Sequence, residues 1–128
     1  MPIRVFLVED MRQMHGVLQD LLAAIGDFAV VQASPTEAEA KFWLDENTGG
    51  WDLAVVDLIL EQGSGMGVIQ RCKARGPGKV VVLSDYATPG IRRHCERLGA
   101  DAVFQKGQDM QAFIEWCSEF SNPEAASV

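Results

Sequence analysis

The run Leu53-Ala54-Val55-Val56 constrains this chain more than any other stretch, because it presents apolar side chains on both sides of its alternation. A strand with one face in water alternates apolar and polar residues, whereas an unbroken run reads as a central strand covered on both faces. Val80-Val81-Val82-Leu83 repeats the pattern, with β-branched residues at three of its four positions. Asp57 stands directly after the first run, and a glycine-rich turn (Gly63, Gly65, Gly67) follows it. Open α/β sheets bind their ligands just past the carboxyl ends of strands. Asp57 is therefore the candidate for the chemically active residue.

The other segments supply the layers that such strands require. Ile3 to Val8 reads as a strand ending abruptly in Glu9-Asp10. Met14, Leu18, Leu21, Leu22 and Ile25 then recur at helical spacing, and Gly26 stops that helix. Phe28 to Ala33 is a second strand. Ser34 is expected to cap the next helix, with Pro35 as its first residue, Asn47 near its end, and Ala38, Phe42 and Trp43 buried. Ser64 is expected to cap a helix carrying Val68, Ile69 and Cys72, which Gly76-Pro77-Gly78 breaks. A helix over Pro89 to Leu98 ends at Gly99. A short strand follows over Asp101 to Gln105, and then a helix over Asp109 to Phe120 with Met110, Phe113, Ile114 and Cys117 on one face. Strand and helix alternate five times, with crossovers long enough for parallel connections. Right-handed crossovers make this an α/β, doubly wound (βα)5 three-layer sandwich. One domain over residues 1–122 accounts for the pattern, with 123–128 as a frayed tail.

Composition narrows the function. The net charge of -7 leaves no basic surplus to displace counterions from nucleic-acid phosphates, so direct nucleic-acid binding is not expected. Cys72, Cys95 and Cys117 show no metal-ligand spacing and read as small buried hydrophobes. There is neither a secretory signal nor an apolar span of about 18 residues, so a cytoplasmic protein is expected. No Gly-x-Gly-x-x-Gly follows the first strand and no Gly-x-x-x-x-Gly-Lys-Ser/Thr occurs, which removes the phosphate cradles of dinucleotide and nucleotide sites. Glu9-Asp10-Met11 would repel a flavin phosphate.

Four strands end in polar or charged residues: Glu9-Asp10, Asp57, Ser84 and Lys106. Helix caps favour Asp and Ser, so each alone has an ordinary structural explanation. Together, immediately after apolar runs, they point to one crevice. Three carboxylates there would repel one another, and the single ammonium of Lys106 does not balance them. A hard divalent ion such as Mg²⁺, which takes oxygen ligands in an octahedron, is the natural remedy. The set then suits in-line phosphoryl transfer to a carboxylate, with Asp57 as nucleophile. Asp10 and Glu9 would hold the metal with Asp57 and the backbone carbonyl of Ile59. Lys106 and the Ser84 hydroxyl would engage the phosphoryl oxygens.

These residues resemble those of a response-regulator receiver domain of two-component signalling. The matching elements are Val-Glu-Asp after the first strand, Asp-Leu-Ile-Leu with Gly-Ser-Gly, Ser84, and Lys106 after Gly-Ala-Asp-Ala, and they span residues 3 to 120. The resemblance implies a flavodoxin-like sheet of order 2-1-3-4-5. It also implies phosphoryl transfer to Asp57, with Mg²⁺ or Mn²⁺, from a phosphohistidine on a sensor histidine kinase or histidine phosphotransfer protein. Slow hydrolysis of the acyl phosphate would follow. Such a chain catalyses its own modification and is no metabolic enzyme. Without an output domain, it would act as a switch or phosphorelay intermediate on a separate output protein.

Several positions depart from that pattern. Val103 stands where a switching aromatic is usual, and a valine has neither the ring nor the rotamer freedom; Phe104 faces the other side of its strand. Asp85 replaces a small residue and is expected to hinder small phosphodonors. Gly107 replaces a cis proline, leaving open whether the bond is cis. Glu61 replaces a common proline. Ile59 and Tyr86 cannot orient a water, which predicts a long-lived phosphoryl group. Arg92, Arg93, His94 and Arg97 crowd one helix as a solvated face, or as part of a partner or homodimer surface over 88–120. His15 and His94 are expected to lie away from any ligand set, and Trp43, Trp51 and Trp116 to be packing residues. The rival reading is a degenerate receiver that docks a partner independently of phosphorylation.

Overall fold

The computed structural model describes residues 2–122. The tail expected at 123–128 lies outside them. In chain order the elements are β1 (Ile3–Val8), α1 (Arg12–Ile25), β2 (Phe28–Ser34), α2 (Glu37–Glu46), β3 (Leu53–Val56), α3 (Gly65–Arg75), β4 (Lys79–Ser84), α4 (Pro89–Leu98), β5 (Ala102–Gln105) and α5 (Met110–Ser121). The five strands form one sheet in the order β2-β1-β3-β4-β5, and every pairing is parallel. This is the doubly wound flavodoxin-like architecture expected from the sequence.

The unbroken apolar runs are covered on both faces, as their composition requires. Phe6, Val8, Ala54, Val56, Val80, Val82 and Val103 point into one core, which α2, α3 and α4 close with Ala40, Leu44, Val68, Ile69, Cys72 and Cys95. The alternate residues Val5, Leu7, Leu53, Val55, Val81 and Leu83 point into the other, against Leu18 and Leu22 of α1 and Phe113 and Cys117 of α5. The period-2 alternation of a strand thus serves two cores at once. All three cysteines are buried and free. Burial pushes the Cys72 and Cys117 thiols up to about 12, so they pack as hydrophobes.

Two expectations about α2 are corrected. Thr36, not Ser34, is its N-cap, with the Thr36 Oγ1 accepting from the Glu39 N–H at 3.2 Å. Ser34 is drawn into the sheet instead: it pairs with Val8, and its carbonyl accepts from the Glu9 N–H. Pro35 therefore precedes the cap rather than opening the helix. Phe42 is also not buried; it is 68% exposed, and Ala38 is exposed with it. Two apolar i,i+4 pairs, Ala38/Phe42 and Ala40/Leu44, compete for the core on this helix. The second wins because it lies beside Trp43, whose ring stacks on Phe6 with centroids 4.6 Å apart.

The starts of α3 and α4 follow local chemistry. The Ser64 Oγ accepts from the Met66 N–H at 3.1 Å, and Thr88 caps α4 ahead of Pro89. Gly99 ends α4 at φ +117°, a left-handed conformation that costs glycine little.

The exchange of faces on α2 gives a direct test. Leu44→Ala should destabilise the protein by about 2–5 kcal/mol in urea unfolding, whereas Phe42→Ala should stay within about 0.5 kcal/mol.

Candidate functional site

Register brings the polar strand ends together. Val8 pairs with Val56, and Val56 with Val82, so the residues that follow them emerge side by side at the carboxyl edge of the sheet. Backbone bonds continue one step past the strands: the Asp57 N–H donates to the Val8 carbonyl at 2.9 Å, and the Lys106 N–H to the Ser84 carbonyl at 3.0 Å. The strand alternation then aims Glu9, Asp57 and Lys106 toward the α1/α5 side, over a floor of Leu18, Val55 and Leu83.

At the centre, the Lys106 Nζ lies 2.7 Å from Glu9 Oε1 and 2.9 Å from Asp57 Oδ2. Glu9 Oε2 accepts from the Asp10 N–H at 3.2 Å, and Asp57 Oδ1 from the Ile59 N–H at 3.3 Å. Carboxylate oxygens of Glu9, Asp10 and Asp57 lie within 4.8 Å of one another. The Glu9 side chain is only 3% exposed. Its burial pushes the carboxyl up to about 7, against the lowering effect of the Lys106 bond, and the neighbouring Asp57 adds to the rise. Burial would lower the Lys106 ammonium, but its bonds to Glu9 and Asp57 outweigh this and hold it above the usual lysine range. Three carboxylates against one ammonium leave an uncompensated negative charge among hard oxygen donors. Such a donor set fits a divalent cation.

The remaining sequence-derived positions are placed differently. Ser84 is fully buried, and its Oγ accepts from the Tyr86 N–H at 3.3 Å. Among the described residues, no side-chain hydrogen bond joins it to Asp57 or Lys106. Ile59 touches the site through its backbone, while its side chain and that of Tyr86 are more than half exposed. Asp85 is exposed. The Lys106–Gly107 bond is not cis; Gly107 adopts φ +83°. Val103 is buried in the α2–α4 core, and Phe104 faces the opposite core, edge-on to Phe113. His15, expected to be remote, instead contacts the Glu9 carbonyl with Nε2, because the short Asp10-Met11 connection folds the first turn of α1 back over the strand end.

One residue that the sequence analysis grouped with a charged helix face has a different role. Arg93, His94 and Arg97 are solvated, but Arg92 is not simply part of that face. Its guanidinium donates to the Ala87 carbonyl at 3.0 Å, to the Val103 carbonyl at 2.5 Å and to the Asp109 carboxylate, which also accepts from the Gln105 N–H. It ties the loop after β4 to β5 and to the start of α5. Nothing in the helical spacing of Arg92 distinguished it from its charged neighbours.

Comparison with known proteins agrees with this fold. The family model described as the response regulator receiver domain matches residues 5–117. An uncharacterized transcriptional regulatory protein of Bacillus subtilis, YvfU, is 28% identical over 105 residues, 81% of this chain and 52% of that protein. The chain thus spans about half the length of this curated relative. The phosphorylated cyanobacterial phytochrome response regulator RcpA is similar in structure, with a TM-score of 0.76 and 25% identity over 94% of each chain. CheY in the CheX–CheY–BeF3–Mg complex of Borrelia burgdorferi shares the fold, with a TM-score of 0.81 and 15% identity over 94% of this chain and 89% of that one. No helix of the described residues is long and apolar enough to cross a membrane.

The raised Glu9 carboxyl sets a sign for stability against pH. A proton binds Glu9 more tightly in the folded chain than in the unfolded one, so this residue contributes stability that is fully present below its unfolded value and is lost as pH rises through about 7. With divalent ions chelated, the stability of the wild type relative to Glu9→Gln should therefore increase as pH falls from 8 to 5. Parallel urea titrations of the two proteins measure it, because carboxylates remote from the site cancel in the difference.

Proposed function

Because this chain belongs to the response regulator receiver domain family, we propose that it is a phosphorylation-dependent switch or phosphorelay intermediate in which Asp57 is the phosphoacceptor. The observation that carries this reading is the convergence of Glu9, Asp10, Asp57 and Lys106 on one sheet edge. The donor is a phosphohistidine on a sensor histidine kinase or histidine phosphotransfer protein, and the output is a separate partner. RcpA, 25% identical and crystallised in its phosphorylated form, supports the assignment.

An Asp57 carboxylate oxygen forms a bond to phosphorus as the bond from phosphorus to the imidazole nitrogen breaks, and the departing imidazole takes a proton from solvent. Lys106 fixes one side of the carboxylate through Oδ2, and the Ile59 amide steadies Oδ1. As negative charge passes to the acyl phosphate, the Lys106 ammonium is placed to exchange a carboxylate partner for a phosphoryl oxygen. Glu9, Asp10, Asp57 and the Ile59 carbonyl would hold Mg²⁺ or Mn²⁺, which supplies charge neutralisation for the incoming phosphoryl oxygens. Ser84 would join by donating its hydroxyl hydrogen, which the bond from the Tyr86 amide leaves free. Arg92 holds the loop between Ser84 and α4 to β5, so movement at Ser84 would be transmitted through backbone carbonyls rather than through a ring at position 103.

Intact mass after incubation with phosphoramidate and Mg²⁺ tests the reading. The wild type should gain one phosphoryl group, and Asp57→Ala or chelation of the metal should abolish the gain. A wild type that never gains this mass, beside an Asp85→Ala variant that also fails to gain it, is instead a docking module that works without phosphorylation. The label, once formed and with no phosphatase present, should survive for minutes or longer, since neither Ile59 nor Tyr86 can orient an attacking water. Loss within seconds would contradict this.

A further inference from the structure

The loop that follows Asp57 is held from outside the strand-edge cluster by Glu37, the first residue of α2. Glu37 Oε1 accepts from the Ser64 N–H at 2.7 Å, and the Glu37 N–H donates to the Gln62 carbonyl at 3.1 Å. Oε2 pairs with Lys41 at 2.5 Å. The Lys41 bond first, and the Ser64 amide second, keep this carboxyl below the usual range. Two glycines make room for it. A Cβ at Gly63 would lie 2.4 Å from the Glu37 Cβ, and one at Gly67 would lie 2.2 Å from Oε2. Gly63 also adopts φ +85°, so the loop suits glycine there on both counts.

From Ser64 the connection runs inward. Ser64 pairs with Ile59 in an isolated antiparallel bridge, and the Ile59 N–H donates to Asp57 Oδ1. The next residue, Gly65, donates its N–H to the Leu58 carbonyl at 3.0 Å and lies so close that a Cβ there would fall 2.0 Å from the Asp57 carbonyl oxygen. An unbroken series of contacts therefore links the Glu37 carboxylate to the carboxylate of Asp57. Helix stability does not need it: Thr36 already caps α2, and an i,i+4 ion pair at the surface contributes only a few tenths of a kcal/mol.

We propose that Glu37 is a positioning residue for phosphoryl transfer, fixing Gln62 to Ser64 so that the Ile59 backbone is set beside the acceptor carboxylate. This rests on Asp57 being the phosphoacceptor. Three full-length variants test it: Glu37→Ala, Glu37→Gln and Lys41→Ala. The readouts are amide hydrogen exchange at Ile59 and Ser64, and the rate of labelling by phosphoramidate at saturating Mg²⁺ across donor concentrations.

Glu37→Ala should speed exchange at both amides and lower the maximal labelling rate, each by about tenfold, the scale of a lost bond to a charged acceptor. Its half-saturating donor concentration should not change. Glu37→Gln, which keeps an acceptor oxygen for the Ser64 amide, should recover most of both effects, and Lys41→Ala should stay near wild type. Wild-type exchange rates in Glu37→Ala, or equal slowing by Glu37→Ala and Lys41→Ala, would overturn the assignment. A wild type that takes no label would overturn the phosphoacceptor reading itself, and exchange would then still decide whether Glu37 holds the loop.

Discussion

The Lys106 ammonium, shared between Glu9 and Asp57, is the interaction on which the site depends. Its partners lie 97 and 49 residues away in the chain, so no local segment could assemble it. Only a parallel sheet with β1, β3 and β4 adjacent, and β5 beside β4, delivers all three side chains to one edge. The two cores exist to hold that order. Val8 and Val56 are paired in the ladder and buried beneath the site, and a one-residue slip of either strand would turn its carboxylate toward the opposite face.

The site is held at an electrostatic cost. A buried carboxylate shifted to about 7 opposes folding at neutral pH, and a second and third acidic group stand within a few ångströms. One lysine offsets part of this and leaves an excess of negative charge that suits a cation. Tension of this kind is expected where chemistry occurs, because a site relaxed in the absence of its ligands would have little to gain by binding them. The surrounding loops are correspondingly well anchored. Arg92 fastens the loop after β4 with three acceptors, and Glu37 fastens the loop after β3. Both anchors reach loop backbone, the Ala87 carbonyl and the Ser64 amide, rather than the carboxylates and ammonium of the cluster.

Most of the architecture was legible because it follows from strong, local patterns. The runs Leu53–Val56 and Val80–Leu83 could only be central strands, and Ser64 and Gly99 marked helix ends through chemistry that works within a turn. What escaped was decided by tertiary competition. Ser34 had the side chain of a cap, but pairing with Val8 drew it into the sheet, and Thr36 took the role. Phe42 and Leu44 were equivalent by periodicity until the Phe6–Trp43 stack chose between them. His15 looked remote because linear distance says nothing about how tightly Asp10-Met11 folds back. The acidic pair, Asp57 and Lys106 could be singled out by their position after apolar runs, whereas Arg92 and Glu37 could not, since the loop groups they hold, the Ala87 carbonyl and the Ser64 amide, are main-chain groups that leave no trace in side-chain identity.

The outer strands carry a consequence for assembly. The register of β2 against β1 shifts between Val5 and Phe6, so Val31 drops out of the pairing and stands exposed on that flank. On the far flank, β5 offers four residues. A bulged border and a truncated one are both poor templates for adding another chain's strand. Association through main-chain ladders is thereby discouraged on either side, and encounters with other proteins are directed to the helices and the loops above the carboxyl edge.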